Sequence, residues 1–235
     1  MPIFARYFIM LKKILFITII CTAGSANGQI NEVGISLGGS NYIGDIGREN
    51  YIYPNNYAIG VIYKYNLNPR IALRGTYTYS KISNDDADSR NVARRIRDLY
   101  FTNTVNELAL GVEFNYFEYN LSARDKTHSP YILIEIAAYN FSAVKSEISP
   151  GQFEYESKTS YSLPFGLGYK TKIFGKIAGA FEIGVRYTMD DELDYNNHDI
   201  QGLNFGNPNN NDWYVFTGIN LVYTFGRPSC YTNPL

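Results

Sequence analysis

The last long stretch of the chain, Trp213 to Phe225 (WYVFTGINLVYTF), restricts the fold more than any other feature. Val215, Thr217, Ile219, Leu221, Tyr223 and Phe225 fall on one face, and Tyr214, Phe216, Gly218, Asn220, Val222 and Thr224 on the other. Strand side chains repeat every two residues, so the stretch reads as one strand between two unlike surroundings. Soluble proteins favour strands of about 5–6 residues, whereas a tilted strand that crosses a membrane needs roughly 9–11. Ending in an aromatic residue near the end of the chain, it predicts the closing strand of a transmembrane β-barrel. Lipid tolerates no open sheet edge, so this strand is expected to pair with the first one.

The rest of the sequence supplies seven further alternating stretches. They are Ile30 to Leu37, Tyr57 to Tyr65, Ile71 to Lys81, Asn106 to Tyr119, Pro130 to Phe141, Ser160 to Lys170 and Lys176 to Met189. Gly38-Gly39-Ser40 marks the end of the first, and Ser149-Pro150-Gly151 sits in a loop after the fifth. Pro164 argues for an edge or a bulge in the sixth. The polar run Ile82 to Thr104 reads as a loop, with one helical turn at ARRIRD. Long connections follow strands one, three, five and seven; tight turns follow two and six, and a somewhat longer one follows four. That rhythm and the even count predict an all-β, eight-stranded antiparallel barrel with short periplasmic turns and long extracellular loops. Both mature termini then lie in the periplasm.

Composition agrees. Charged residues make up 18%, below the usual quarter, and the chain holds 22 Tyr and 14 Phe. Tyrosine suits a membrane interface, ring in the apolar zone and hydroxyl at the headgroups. Beyond the N-terminus no apolar run reaches the length of a membrane helix. A net charge of -1 gives no sign of a nucleic-acid partner. Lys12-Lys13, the apolar core Ile14 to Cys21 and the small residues of Ala26-Asn27-Gly28 predict a signal peptide over residues 1–28, leaving a barrel domain over 29–235. Ile20 stands where a lipoprotein signal would carry a small residue before Cys21. After cleavage Cys230 is the odd thiol of an exported protein, either free or paired with another chain. It lies in a tail, residues 226–235, where Arg227, Cys230 and Tyr231 are candidate partner-binding residues.

A barrel of eight strands is just wide enough for side chains to fill. Its inward face is expected to carry Lys64, Arg74, Lys170 and Arg186 against Glu107, Glu113, Glu135 and Glu182. On the lipid face a Lys or Arg would cost roughly 2–4 kcal/mol at the midplane, and burial of such groups requires pairing. Glycine and alanine at the other inward positions leave room for these long side chains. The cluster therefore reads as a salt-bridged plug in preference to an ion path.

Catalytic and metal motifs are weak. His128 and His198 fall in predicted loops, without a partner histidine at ligand spacing. His198 beside Asp199 lacks a placed nucleophile and reads as a solvated histidine. Asp190 to Asp194 lacks the spacing of a calcium loop, and Gly38-Gly39 precedes no helix that could hold a phosphate.

Three segments, EVGISLGGSNYIGDIG (Glu32 to Gly47), ELALGVEFNYF (Glu107 to Phe117) and FGNPNNNDWYVFTGINLVYTFGRPSCY (Phe205 to Tyr231), resemble PorG. That family comprises outer-membrane barrels of the bacterial type IX protein-secretion system. The resemblance implies a role in cargo export, contact with the periplasmic ring proteins PorK and PorN, and neither enzymatic activity nor a cofactor. A small independent barrel of structural or permeability role, a barrel hydrolase and a soluble lipocalin-type barrel remain the alternatives to be told apart.

Overall fold

A computed structural model describes residues 30–120, 127–200, 202–205 and 210–226. Eight antiparallel strands form a closed barrel in sequence order. They are β1 (Ile30–Ile43), β2 (Asn56–Asn66), β3 (Ile71–Asp85), β4 (Tyr100–Asn115), β5 (His128–Ser149), β6 (Gln152–Phe174), β7 (Ile177–Thr188) and β8 (Trp213–Gly226). The closing pair is β8 on β1, from Ile30↔Gly226 to Ile43↔Trp213. Both of those strands' outer ends therefore share the barrel rim that carries the β2–β3 and β6–β7 turns, here called the turn end. The opposite rim is the loop end.

Hydrogen-bonded partners traced once round the wall run from Asn31 through Tyr65, Leu73, Val112, Ile134, Phe165, Val185 and Val215, and return to β1 at Asn41. The displacement of ten residues along β1 is the barrel's shear. Shear and strand tilt are linked, so the strands run oblique to the axis.

The pleat sorts the side chains. Val33, Ile35, Leu37, Leu108, Leu110 and Ile219 point outward and are exposed, and Ile134 and Ile136 are 66% and 68% exposed. An apolar belt that encircles a molecule exceeds by far the few hundred Å² that soluble monomers leave open. The alternate residues point inward and are buried, as in Glu32, Lys64, Arg74 and Glu113. This polarity, apolar outside and charged inside, is the reverse of a lipocalin.

The strands run further than their alternation suggested. β1 passes through Gly38-Gly39 to Ile43, because these glycines answer to packing and not to a turn. A Cβ on Gly39 would lie 2.5 Å from Pro54, which folds down over the outer wall. β3 and β4 extend to Asp85 and back from Tyr100, so the expected loop shrinks to a 3₁₀ turn and the helix α1 (Val92–Arg97). That helix covers the ARRIRD turn and is capped by Asn91, whose side chain accepts the Ala93 N–H at 2.9 Å. At the other end β4 stops at Asn115, not Tyr119. The expected long loop after β5 is instead a hairpin, closed by Pro150 and Gly151 with φ 77° at the glycine. Proline followed by a positive-φ glycine is the signature of a type II turn. Pro164 makes neither an edge nor a bulge. The β5–β6 ladder passes from Ile134↔Phe165 to Ala137↔Ser162 in unbroken register, and Pro164 sits in the gap between those pairs.

Candidate functional site

The lumen is lined with buried charge. All eight charged residues expected on the inward face are buried there. Glu182 on β7 is the hub: its carboxylate takes Arg74 from β3 at 2.6 and 3.0 Å, the Tyr131 hydroxyl at 2.6 Å and the Asn220 amide at 2.9 Å. Fork-to-fork pairing of this kind is the strongest ion pairing available to a carboxylate. Glu113 on β4 takes Lys64 at 2.6 Å and Lys170 at 2.5 Å. Nearer the loop end, Arg186 lies 3.4 Å from Glu107, which also accepts from the Tyr214 hydroxyl. Glu135 is more loosely held, 3.5 Å from the Thr76 hydroxyl and 3.9 Å from Arg74.

The small residues opposite these groups are spatial requirements. A Cβ on Gly168 would lie 2.2 Å from the Tyr131 ring, and one on Gly184 2.4 Å from the Arg186 guanidinium. A Gly168→Ala variant is expected to lose about 1–3 kcal/mol, the usual cost of overpacking, because Tyr131 cannot shift without releasing Glu182. Urea unfolding in micelles measures it, and an unchanged midpoint would show that the ring has room to move.

Each end of the lumen is stoppered. At the turn end the β4–β5 connection doubles back, its Tyr119 N–H bonding to Pro69 O at 3.0 Å. The Tyr119 ring is buried, with Lys170 Nζ 4.4 Å from its centroid. At the loop end the lining turns apolar: Tyr42, Phe101, Tyr139, Phe141 and Tyr214 form one buried cluster with Leu193 of the β7–β8 connection. Asn103 staples this lid, donating to Ser142 O at 2.8 Å and Leu193 O at 2.9 Å.

Two lid carboxyls meet at Tyr42. Its hydroxyl bonds to Asp194 at 2.8 Å and to Asp212, while Asp212 also accepts the Leu193 N–H at 3.1 Å. Burial pushes Asp194 up to about 7, and burial together with the neighbouring Asp194 pushes Asp212 well above the ordinary carboxyl range. Asp191, half-buried, is raised to about 6. A carboxyl in such surroundings keeps its proton more readily than in water.

No catalytic assembly emerges among the described residues. His128 contacts the Tyr169 hydroxyl at 2.8 Å. His198 lies 3.5 Å from Asp191 and 3.1 Å from Asn204. Asp190 and Glu192 pair with Lys158, and no acidic or histidine group among the described residues could hold a metal ion. Arg227, Cys230 and Tyr231 lie outside the described residues, as does the expected signal peptide. Sequence reading missed Glu32, buried against Asn66 at 2.8 Å, and the tyrosines that serve the network. The inward phase of Tyr131 and Tyr214 carried that signal: a phenol in a charged lumen needs a hydroxyl partner.

A family model described as "Domain of unknown function (DUF6089)" matches residues 11–234. None of the curated proteins matches the chain. Solved structures of similar architecture include Ail, the attachment invasion locus protein of Yersinia pestis, at 14% identity and TM-score 0.48, with 85% of this chain and 100% of that one covered. Neisserial surface protein A and the N-terminal β-barrel domain of Pseudomonas aeruginosa OprF each show 10% identity and TM-score 0.45, over 85% of this chain and 98% of theirs.

Proposed function

Because the chain belongs to the DUF6089 family, whose description assigns no function, we propose its role from its architecture together with the segments that resemble PorG: a non-enzymatic outer-membrane barrel that anchors or positions a protein-secretion assembly. The resemblance suggests the part in secretion, and the observation that makes that part an indirect one is a lumen filled from Tyr119 to Leu193. A barrel so filled cannot pass a polypeptide, so a part in export has to be played by its outer wall, its loops or its tail. The apolar belt supports insertion in lipid, since lipid-facing and lumen-facing residues alternate along each strand.

The segments that resemble PorG give the assembly its candidate identity, the type IX system, with PorK and PorN as ring partners. The turn end is the periplasmic end in this reading, because the β2–β3 and β6–β7 turns and the described ends Ile30 and Gly226 gather there. β8 then ends at Gly226 on that side, and Arg227, Cys230 and Tyr231 of the tail that follows in the sequence are the proposed partner-binding residues. Affinity capture of the tagged barrel from gently solubilised membranes is expected to recover the ring proteins. Recovery of the barrel alone, with cargo secretion intact in a deletion strain, would overturn the assembly role.

The same lumen argues against the permeability alternative. Planar bilayers containing the purified barrel are expected to stay electrically silent, since each bridging pair would have to part for an ion to pass. Steady unitary conductance would mean that the plug opens, and would restore the transport reading.

A further inference from the structure

Three polar atoms at the turn end of the lumen have no hydrogen-bond partner among the described residues: Glu32 Oε2, the Tyr119 hydroxyl and Asn220 Oδ1. Their side chains are buried, Glu32 and Asn220 at 1% exposure and Tyr119 at 3%. A polar atom left unmet in such a place is costly. The three residues come from β1, the β4–β5 connection and β8, yet they line one cavity of about 10 Å³. Lys64 and Lys170 share its polar wall, and Ala178 and Ala180 give it an apolar side. Both lysines bind Glu113, at 2.6 and 2.5 Å. An ammonium carries three N–H donors, so each can serve a second acceptor at the cavity as well.

We infer that this cavity is a binding site for one internal water molecule, which joins Glu32 to the lysines. The water donates to Glu32 Oε2 and Asn220 Oδ1 and accepts from an ammonium or from the Tyr119 hydroxyl. Size and chemistry agree, because a single water needs roughly 10–15 Å³ and two to four polar partners. A metal cation is the poorer occupant, since two ammonium groups share the wall. The bridge accounts for the burial of Glu32. Its other oxygen takes the Asn66 amide at 2.8 Å, a neutral donor, and the water brings the positive charge of the lysines to bear on it. Tyr119 closes the chamber, its N–H tied to Pro69 O at 3.0 Å and its ring 4.4 Å from Lys170 Nζ. Exchange of this water with solvent therefore waits on movement of that ring.

The test is X-ray radiolysis of the full-length barrel in nanodiscs, read by mass spectrometry of its peptides. Hydroxyl radicals born from an internal water oxidise the ring beside it, whereas radicals from bulk solvent do not reach a buried ring. Tyr119 is expected to be oxidised although it is buried. Ala180→Val, which fills the cavity, is expected to lose that label while keeping a folded band on unheated gels. A second readout needs no variant: the parent protein is mixed with water enriched in the heavy oxygen isotope just before the pulse. The label on Tyr119 is expected to take up the isotope later than the label on the exposed ring of Tyr100. An unlabelled Tyr119 would mean that a lysine meets Glu32 directly, and would overturn the water site. A label that survives in folded Ala180→Val, or that takes up the isotope as fast as Tyr100, would trace to bulk solvent and overturn it as well. A label that rises when sodium in the buffer is replaced by choline would assign the cavity to the metal cation instead.

Discussion

A Glu182→Leu variant is expected to lose about 3–5 kcal/mol of barrel stability, the usual cost of stripping one partner from a buried ion pair. The loss falls on Arg74, which would remain charged in the lumen with its carboxylate fork gone. Tyr131 and Asn220 would lose their acceptor at the same time. Combining it with Arg74→Met is expected to recover much of the loss, since neutral groups of similar volume replace buried ion pairs with little penalty. Recovery should be incomplete, because the two orphaned donors stay. Urea unfolding in micelles, with folded and unfolded bands separated on unheated gels, measures both variants. A Glu182→Leu barrel as stable as the parent would mean that Arg74 finds other compensation, with Glu113 at 3.6 Å the obvious candidate.

Lid docking is expected to weaken as pH rises from about 4 to about 7. The sign follows from the direction of the shifts. Asp194 titrates near 7 when the lid is docked and near the ordinary carboxyl value of 3.8 when it is released. A group whose pKa is raised by docking favours docking fully below the released value and loses that contribution as pH climbs through the docked one. Within the window each pH unit multiplies the opening equilibrium by up to about tenfold, and Asp212, raised in the same direction, adds to the effect. Asp194→Asn removes one of the two buried carboxyls that must hold a proton, so the variant's lid is expected to show a shallower dependence, with the part owed to Asp212 remaining. Amide exchange at Leu193 and Asn196, corrected for its intrinsic pH dependence, reads the opening directly. A flat profile in the parent protein would show that Tyr42 stabilises the ionised pair instead.

The barrel itself could be read from periodicity alone, because lipid outside and charge inside impose a two-residue repeat on every wall segment. The inward set from Lys64 to Arg186 followed from the same repeat and a steric limit on eight strands. Periodicity failed where both sides of a strand are polar. In residues 142–149 and 152–159, Lys145, Glu147, Glu154 and Lys158 mask the alternation of a hairpin that still forms. Gly38 and Gly39 misled for the opposite reason: they are small because neighbouring backbone and Pro54 come close, not because the chain turns. The lid could not be foreseen, since Tyr42, Asp194 and Asp212 are distant in sequence and meet only once the barrel has closed.

That the lumen's ion pairs join strands across the barrel has a mechanical consequence. Arg74 and Glu182 connect β3 to β7, Glu113 ties β4 to β2 and β6 through two lysines, and Arg186 reaches from β7 to Glu107 on β4. These contacts act as spokes in a hollow wheel. A ladder of hydrogen bonds alone would let the cross-section flatten under a sideways pull, because neighbouring strands can hinge about their shared edge. Braced across its diameter, the cylinder keeps a round section, and a force applied at one rim arrives at the other without being absorbed in the wall.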